Sequence, residues 1–287
     1  MSNMPPPAPP KASSKPSLPP PPSAKVDSSA IKTSRGRKHG KAEKIGVYGP
    51  GGIGKSKLAE IAATVGFRPQ VIDLECRTGH LTVDRVEGIA AFENLLAFLD
   101  DESNWSDHNM VVVDTMTVAE QMATTWTLAN VPKQSRSGTE YVKNLKSYGW
   151  GDGDTFVYET FLKLFASLDR HVALGRWVLA IAHDYTATVP NPSGENYLRY
   201  EPRLMSSRQG NVSAKFREWV DHLFFIGYDV AVNREGKASG GGTRAFYAQE
   251  RPTHLAKTSY ASVVPAELVY EDGSAEIFNL LMQENKG

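Results

Sequence analysis

The chain has a single cysteine, Cys76, among 287 residues. One thiol excludes an internal disulfide framework and any all-cysteine metal site, and it suits a reducing compartment, so a cytoplasmic location is expected. Long apolar runs are also missing: no stretch approaches the roughly 20 residues that a membrane helix needs. The first residues hold no apolar h-region, so no secretory signal is expected. The seven histidines are scattered, and neither His-x-x-x-His nor Cys-x-x-Cys occurs, which leaves a metal site of those types without support. Net charge is absent only on average. Residues 1–44 hold nine Lys/Arg and two Asp/Glu, so a segment of +7 precedes a body of −7. That asymmetry suggests an electrostatic job for the tail, or a tail kept solvated.

Apolar residues at 40% and charged residues at 22% fit a soluble globular protein, and the length allows one large α/β domain with a sizeable core. Met1 to Ala24 contains ten of the 18 prolines, with Pro19 to Pro22 consecutive. Such a segment cannot bury enough apolar surface to offset its ordering entropy, so residues 1–43 are expected to be a disordered, Pro-rich, basic tail. Its basic patch, Ser34 to Lys41, reads either as a contact for nucleic acid or an acidic partner, or as a solubilising linker. A folded domain is expected over 44–287. Within it, Ile45–Gly49, Val71–Leu74, Met110–Asp114 and Trp177–Ala182 read as short buried strands. Helical spacing covers Lys55–Val65, Gly88–Leu99, Val118–Ala129 and Phe156–Ala173. Apolar strands alternating with helices predict a parallel sheet covered on both faces. Asp184 to Ala214 is polar and reads as a long loop. Leu223–Val232 and Arg244–Gln249 then read as a β-hairpin with a glycine-rich tip at Gly240 to Gly242, and a last helix is expected near Ala275–Gln283.

Gly49-Pro-Gly-Gly-Ile-Gly-Lys-Ser56 satisfies G-x-x-x-x-G-K-[ST] at every required position, with a strand before it and a helix after it. The glycines let backbone N–H groups turn inward around phosphate oxygens, and the helix N-terminus adds a favourable dipole. The loop residues Gly49, Pro50, Gly51, Gly52, Ile53, Gly54, Lys55, Ser56 and Lys57 are therefore candidates for binding ATP. Lys55 would reach the β- and γ-phosphates and Ser56 would hold Mg²⁺. Asp114 ends the strand Met110–Val113, where a carboxylate sits beside the Mg²⁺ site; the alternative is an acid that caps the next helix. Glu75 ends the second strand on the same rim, where it can orient or deprotonate the attacking water, or be a plain surface acid. Asp73 alternates with Glu75 and is expected to point into the sheet or to serve a structural hydrogen bond. His183 sits where the fourth strand leaves the sheet, as a γ-phosphate sensor or as a histidine bonded to backbone.

Taken in order, the phosphate loop, the strand ending Ile-Asp-Leu-Glu75, the strand ending Asp114, the polar strand end and the hairpin resemble the RecA-like P-loop ATPases. More narrowly, the chain looks like small phage-encoded ATP-binding proteins, among them RecA/RadA-related single-strand annealing proteins. Tyr148-Gly-Trp-Gly-Asp-Gly153, Glu201-Pro-Arg-Leu-Met205 and Glu218-Trp-Val-Asp-His-Leu-Phe-Phe225 add to that likeness, which spans Lys44 to Leu281. It implies a RecA-like core with Lys55 and Ser56 as nucleotide and Mg²⁺ ligands, Asp114 as the Walker B acid, Glu75 as the catalytic glutamate and His183 as the sensor. It also implies two DNA-facing loops near 133–153 and 185–213. The first carries Lys133, Arg136, Lys143 and Lys146 with Tyr141, Tyr148 and Trp150. The second carries Arg199, Arg203 and Arg208 with Tyr185, Tyr197 and Tyr200. Basic groups contact phosphates and aromatics stack on unpaired bases. A homo-oligomer is implied as well, with Arg251 or Lys257 as the cation donated across the interface.

The reading that follows is an ATP-hydrolysing, single-stranded DNA-binding protein of phage-type recombination, annealing or replication. The alternative is a nucleic-acid-independent NTPase switch that recruits protein partners through its loops and tail. A small-molecule kinase ranks third, since the segment after His183 ends in a hairpin.

Overall fold

The computed structural model describes residues 40–135, 138–229, 231–232, 238–239 and 242–286. The expected tail up to residue 39, Arg136, and Gly240 and Gly241 of the expected hairpin tip lie outside the described residues. In chain order the strands are β1 (Lys44–Gly49), β2 (Pro69–Asp73), β3 (Asp84–Val86), β4 (Met110–Asp114), β5 (Lys133–Ser135), β6 (Gly138–Glu140), β7 (Trp177–Val189), β8 (Tyr197–Pro202), β9 (His222–Tyr228), β10 (Ala231–Val232), β11 (Ala238–Ser239), β12 (Arg244–Tyr247) and β13 (Glu267–Tyr270). The helices are α1 (Leu58–Thr64), α2 (Phe92–Asp100), α3 (Met116–Asn130), α4 (Asp152–Ala173), α5 (Val212–Trp219) and α6 (Glu276–Lys286).

The main sheet runs β13-β12-β9-β1-β7-β4-β2-β3. From β9 to β3 every pairing is parallel, whereas β12 and β13 add an antiparallel edge. Strand β7 lies between β1 and β4, so the strands leading to the phosphate loop and to Asp114 are second neighbours. This is a mostly parallel α/β sheet flanked by helices, as the alternation of apolar strands and helices predicts.

Alternation explains why the central strands are apolar throughout. Tyr48, Val111, Val113, Val178 and Ala180 join one core with Leu95, Phe161, Leu164 and Phe216, on the side of α2 to α5. Their neighbours Val47, Met110, Val112, Leu179 and Ile181 join a second core with Leu58, Ile61, Phe278 and Leu281, on the side of α1 and α6. Both faces are covered here, so these residues have no wet side to be polar for. Helix α4 places Asp152 and Asp154 in its first turn and Arg170 in its last, matching charge to the helix dipole at both ends.

The structure corrects the sequence in the stretch after His183. Strand β7 does not stop at Ala182 but continues to Val189 and pairs antiparallel with β8, Asp184 opposite Pro202 through Val189 opposite Tyr197. The expected long loop is thus a β-hairpin followed by α5. Its pattern is two-residue alternation: Thr186 and Thr188 are exposed while Tyr185, Ala187 and Val189 are partly covered. The expected loop at 133–153 is likewise structured, with the β5–β6 pair and a 3-10 turn over Leu145–Tyr148 leading into α4. Helix α1 begins at Leu58 rather than Lys55, the intervening residues forming the turn of the phosphate loop. The C-terminal hairpin stands: β9 pairs antiparallel with β12, Tyr228 opposite Arg244, and β10 with β11 beyond it. The strand read as reaching Val232 breaks after Tyr228. No described helix is long and apolar enough to cross a membrane.

Candidate active site

Strand β1 ends at Gly49, whose neighbour in the sheet leaves no space for a side chain: a Cβ there would stand 2.2 Å from the Ile226 carbonyl oxygen. The loop then crosses the rim of the sheet. Gly54, at φ +103°, adopts a backbone conformation that only glycine takes without strain. Gly51 and Gly52 face open space. Beside them lies a cleft of about 460 Å³, lined by the loop and by Glu75, Asp114, His183 and Arg244 among others.

Lys55 is 7% exposed, and its ammonium donates to the Gly49 carbonyl at 2.7 Å and the Pro50 carbonyl at 2.8 Å. Burial lowers its pKa, opposed by the carboxylates of Asp114, Asp184 and Glu75. Ser56 donates its hydroxyl to the Asp114 carboxylate. Burial raises the Asp114 pKa against that hydrogen bond, and Glu75 and Asp73 push the same way. Two hard oxygen donors meeting at the foot of the phosphate loop are the chemistry that Mg²⁺ prefers. Helix α3 is capped by Thr115, which accepts from Val118 N–H, so Asp114 is free of the capping role.

Glu75 and His183 meet. The His183 ring Nε2 is 2.5 Å from Glu75 Oε1, and the Thr115 hydroxyl donates to the same oxygen at 3.1 Å. The ring of His183 is therefore bonded to a carboxylate and not to backbone, while its main chain is held by Thr117 and Arg203. Asp73 takes the structural role expected of it. Its carboxylate accepts from the N–H groups of Glu75, Arg77 and Thr78 and from the Thr78 hydroxyl. Burial pushes its pKa up, but these hydrogen bonds outweigh burial and hold it below the usual range. They also fix the turn that carries Glu75. Of the residues singled out for the nucleotide, Gly51, Gly52, Gly54, Lys55, Ser56, Lys57, Glu75, Asp114 and His183 line one cleft, whereas Gly49 and Pro50 are not in its lining and the Ile53 side chain is buried in the core. Sequence reasoning missed Arg244, which reaches the loop from β12, some 190 positions away. Its signal was tertiary, because nothing local marks the first residue of a short antiparallel strand as part of a phosphate site.

Several side chains expected to face DNA do not. Tyr148 is 4% exposed and donates its hydroxyl to the Val131 carbonyl. Arg199 is held by Glu201 and Glu250. Trp150 at 96%, Leu198 at 65%, Tyr141 at 62% and Tyr200 at 42% do present apolar surface to solvent. Lys143, Lys146, Arg203 and Arg208 are exposed with them. Of the two candidate cations, Arg251 is exposed in a turn that leads back to β8 at Tyr200. Lys257 instead bridges Leu223 near the start of β9, toward the end of the sheet away from the phosphate loop.

A parallel sheet whose rim carries this phosphate loop, with a serine, an aspartate and a glutamate converging on it, defines a P-loop nucleotide-binding ATPase domain. The AAA domain family matches residues 41–260, and the chain belongs to that family. No curated protein matches the sequence. Among solved structures the chain is similar to the flagellar accessory protein FlaH from Methanocaldococcus jannaschii, at 12% identity and TM-score 0.39, over 82% of this chain and 92% of that one. A KaiC-like protein from Pyrococcus horikoshii OT3 is similar at 13% identity and TM-score 0.38, over 81% and 90%. The RadB recombinase is similar at 12% identity and TM-score 0.40, over 73% and 81%.

Proposed function

We propose that this chain is a Mg²⁺-dependent ATPase that binds single-stranded DNA and serves phage-type recombination, annealing or replication. The observation that carries the reading is strand β7. Its residue His183 touches Glu75 in the nucleotide cleft, and its next six residues form one arm of the β7–β8 hairpin. A change at the γ-phosphate end of the cleft therefore has a continuous backbone route to the surface.

In this reading the loop amides and Lys55 hold the phosphates, and Ser56 and Asp114 hold Mg²⁺, which supplies charge neutralisation when bound. Glu75 orients the attacking water, and His183 holds the Glu75 carboxylate in place until a γ-phosphate competes for it. The exposed Trp150, Tyr141 and Tyr200 supply stacking faces, with Lys143, Lys146, Arg203 and Arg208 as phosphate contacts. A second copy of the chain completes the site, and Arg251 is the better placed of the two cations because it is exposed.

The capture of Arg199 by Glu201 and Glu250 is the observation that favours the second reading, an NTPase switch with a protein partner. ATPase activity measured with and without single-stranded DNA, at low and at moderate salt, separates the two. Stimulation that fades with salt is expected, since phosphate contacts release counterions. Turnover that ignores DNA at both salts rejects the DNA-binding reading.

A further inference from the structure

The phosphate loop is also held by the C-terminal strands of the sheet, whose Arg244 and Asp272 line the same cleft as Glu75 and Asp114. Arg244 and Tyr270 are direct cross-strand partners on β12 and β13. The Arg244 guanidinium donates through one nitrogen to the Ile53 carbonyl at 3.0 Å and through the other to Asp272 at 2.6 Å. It also lies over the Tyr270 ring, 4.6 Å from its centroid. The Tyr270 hydroxyl, on a side chain 2% exposed, donates to the next carbonyl of the loop, that of Gly54, at 2.8 Å. Two successive carbonyls of the phosphate loop are thus engaged by one cross-strand pair.

A trans peptide places its C=O and the following N–H on opposite sides. Anchoring the Ile53 and Gly54 carbonyls toward β12 and β13 turns the N–H groups of Gly54 and Lys55 the other way. A glycine-rich loop has little intrinsic preference between the two orientations. With either peptide flipped, a carbonyl oxygen would face the phosphate oxygens and repel them. We infer that Arg244 and Tyr270 are positioning residues that lock the phosphate loop in its anion-accepting orientation, with Asp272 aiming the guanidinium. The inference rests on the nucleotide-binding reading of the cleft and on none of the DNA-binding proposal.

The test is equilibrium binding of ADP and ATP with Mg²⁺ to the full chain, together with steady-state ATPase and melting without nucleotide. Tyr270→Phe removes one hydroxyl and no charge; several-fold weaker nucleotide binding is expected, with KM raised and kcat nearly kept. Arg244→Met is expected to weaken binding by about tenfold or more, the scale of a lost charge-assisted hydrogen bond. Arg244→Lys keeps the charge but cannot span Ile53 and Asp272, so it should restore only part of the affinity. Wild-type affinity in Tyr270→Phe overturns the inference, as does full rescue by Arg244→Lys, which would reduce the arginine to a simple charge. An affinity loss that merely follows a loss of folded protein in the melts overturns it too. Lys55→Ala is the reference. If it loses nucleotide while the other variants do not, the brace fails alone, whereas a wild-type chain that binds no nucleotide removes the site reading itself.

Discussion

Lys55 has its ammonium wrapped by two carbonyls of its own loop, Gly49 and Pro50. Phosphate oxygens would replace those neutral acceptors with charged ones, and charge-assisted hydrogen bonds are the stronger kind. Lys55→Ala is expected to abolish measurable nucleotide binding, checked by titration calorimetry with ATP. Glu75→Gln is expected to bind ATP as the wild type does while turnover falls about 10²- to 10⁴-fold, the usual range for a general base. Normal turnover in that variant would strip Glu75 of its assigned chemistry. At this scale the sequence was informative because the required residues are consecutive or end strands whose apolar runs announce them. The pairing of Glu75 with His183 was not legible. The two are 108 positions apart, and only the sheet order β1-β7-β4-β2 brings their strand ends to one rim.

Among the elements, α4 is the one whose packing weighs most. Phe161, Leu164 and Leu168 are wholly buried against the sheet and against α2 and α3, at spacings of three and four. Phe161→Ala should destabilise the domain by about 3–5 kcal/mol through lost transfer energy and the cavity it leaves, read as a shift in the urea midpoint at constant slope. This helix was readable over Phe156–Ala173 because its apolar stripe repeats from Val157 to Val172, although the helix itself begins at Asp152. The β7–β8 hairpin was not, since Thr186 and Thr188 are polar on one face while Arg199, opposite Ala187, is polar on the other, and polarity on both faces reads as a loop. Helix α5 spans only eight residues, too short for periodicity to stand out, although Asn211 caps it by accepting from Ala214 N–H. Strands β3 and β13 are short edge strands, fixed by their partners rather than by their own composition.

For the molecule as a whole, Glu120 sets a pH dependence. It lies on α3, accepts from the Met205 N–H at 2.7 Å, and is pushed up to about 7 by burial, against that hydrogen bond. The folded state therefore holds this proton more tightly than the unfolded chain, whose carboxyl titrates near 4.5. The contribution to stability is present below the unfolded value and is lost as pH rises toward 7. Glu120→Gln keeps an acceptor for Met205 without the charge. It should melt like the wild type near pH 4.5 and be more stable at pH 8, by at most about 3 kcal/mol. Equal melting at both values would show that Glu120 carries no such burden.

The facing of the hairpin is a matter of parity. From His183 to Val189 successive side chains take opposite sides of one unbroken strand, so an odd number of inserted residues turns the whole hairpin over and an even number does not. On the DNA-binding proposal, one residue inserted after Asp184 should leave ATP binding in place and abolish the proposed stimulation by DNA, and two should bring it back. An outcome that scaled with the length of the insertion rather than with its oddness would mean that the hairpin acts as a tether, and that which way it faces does not matter.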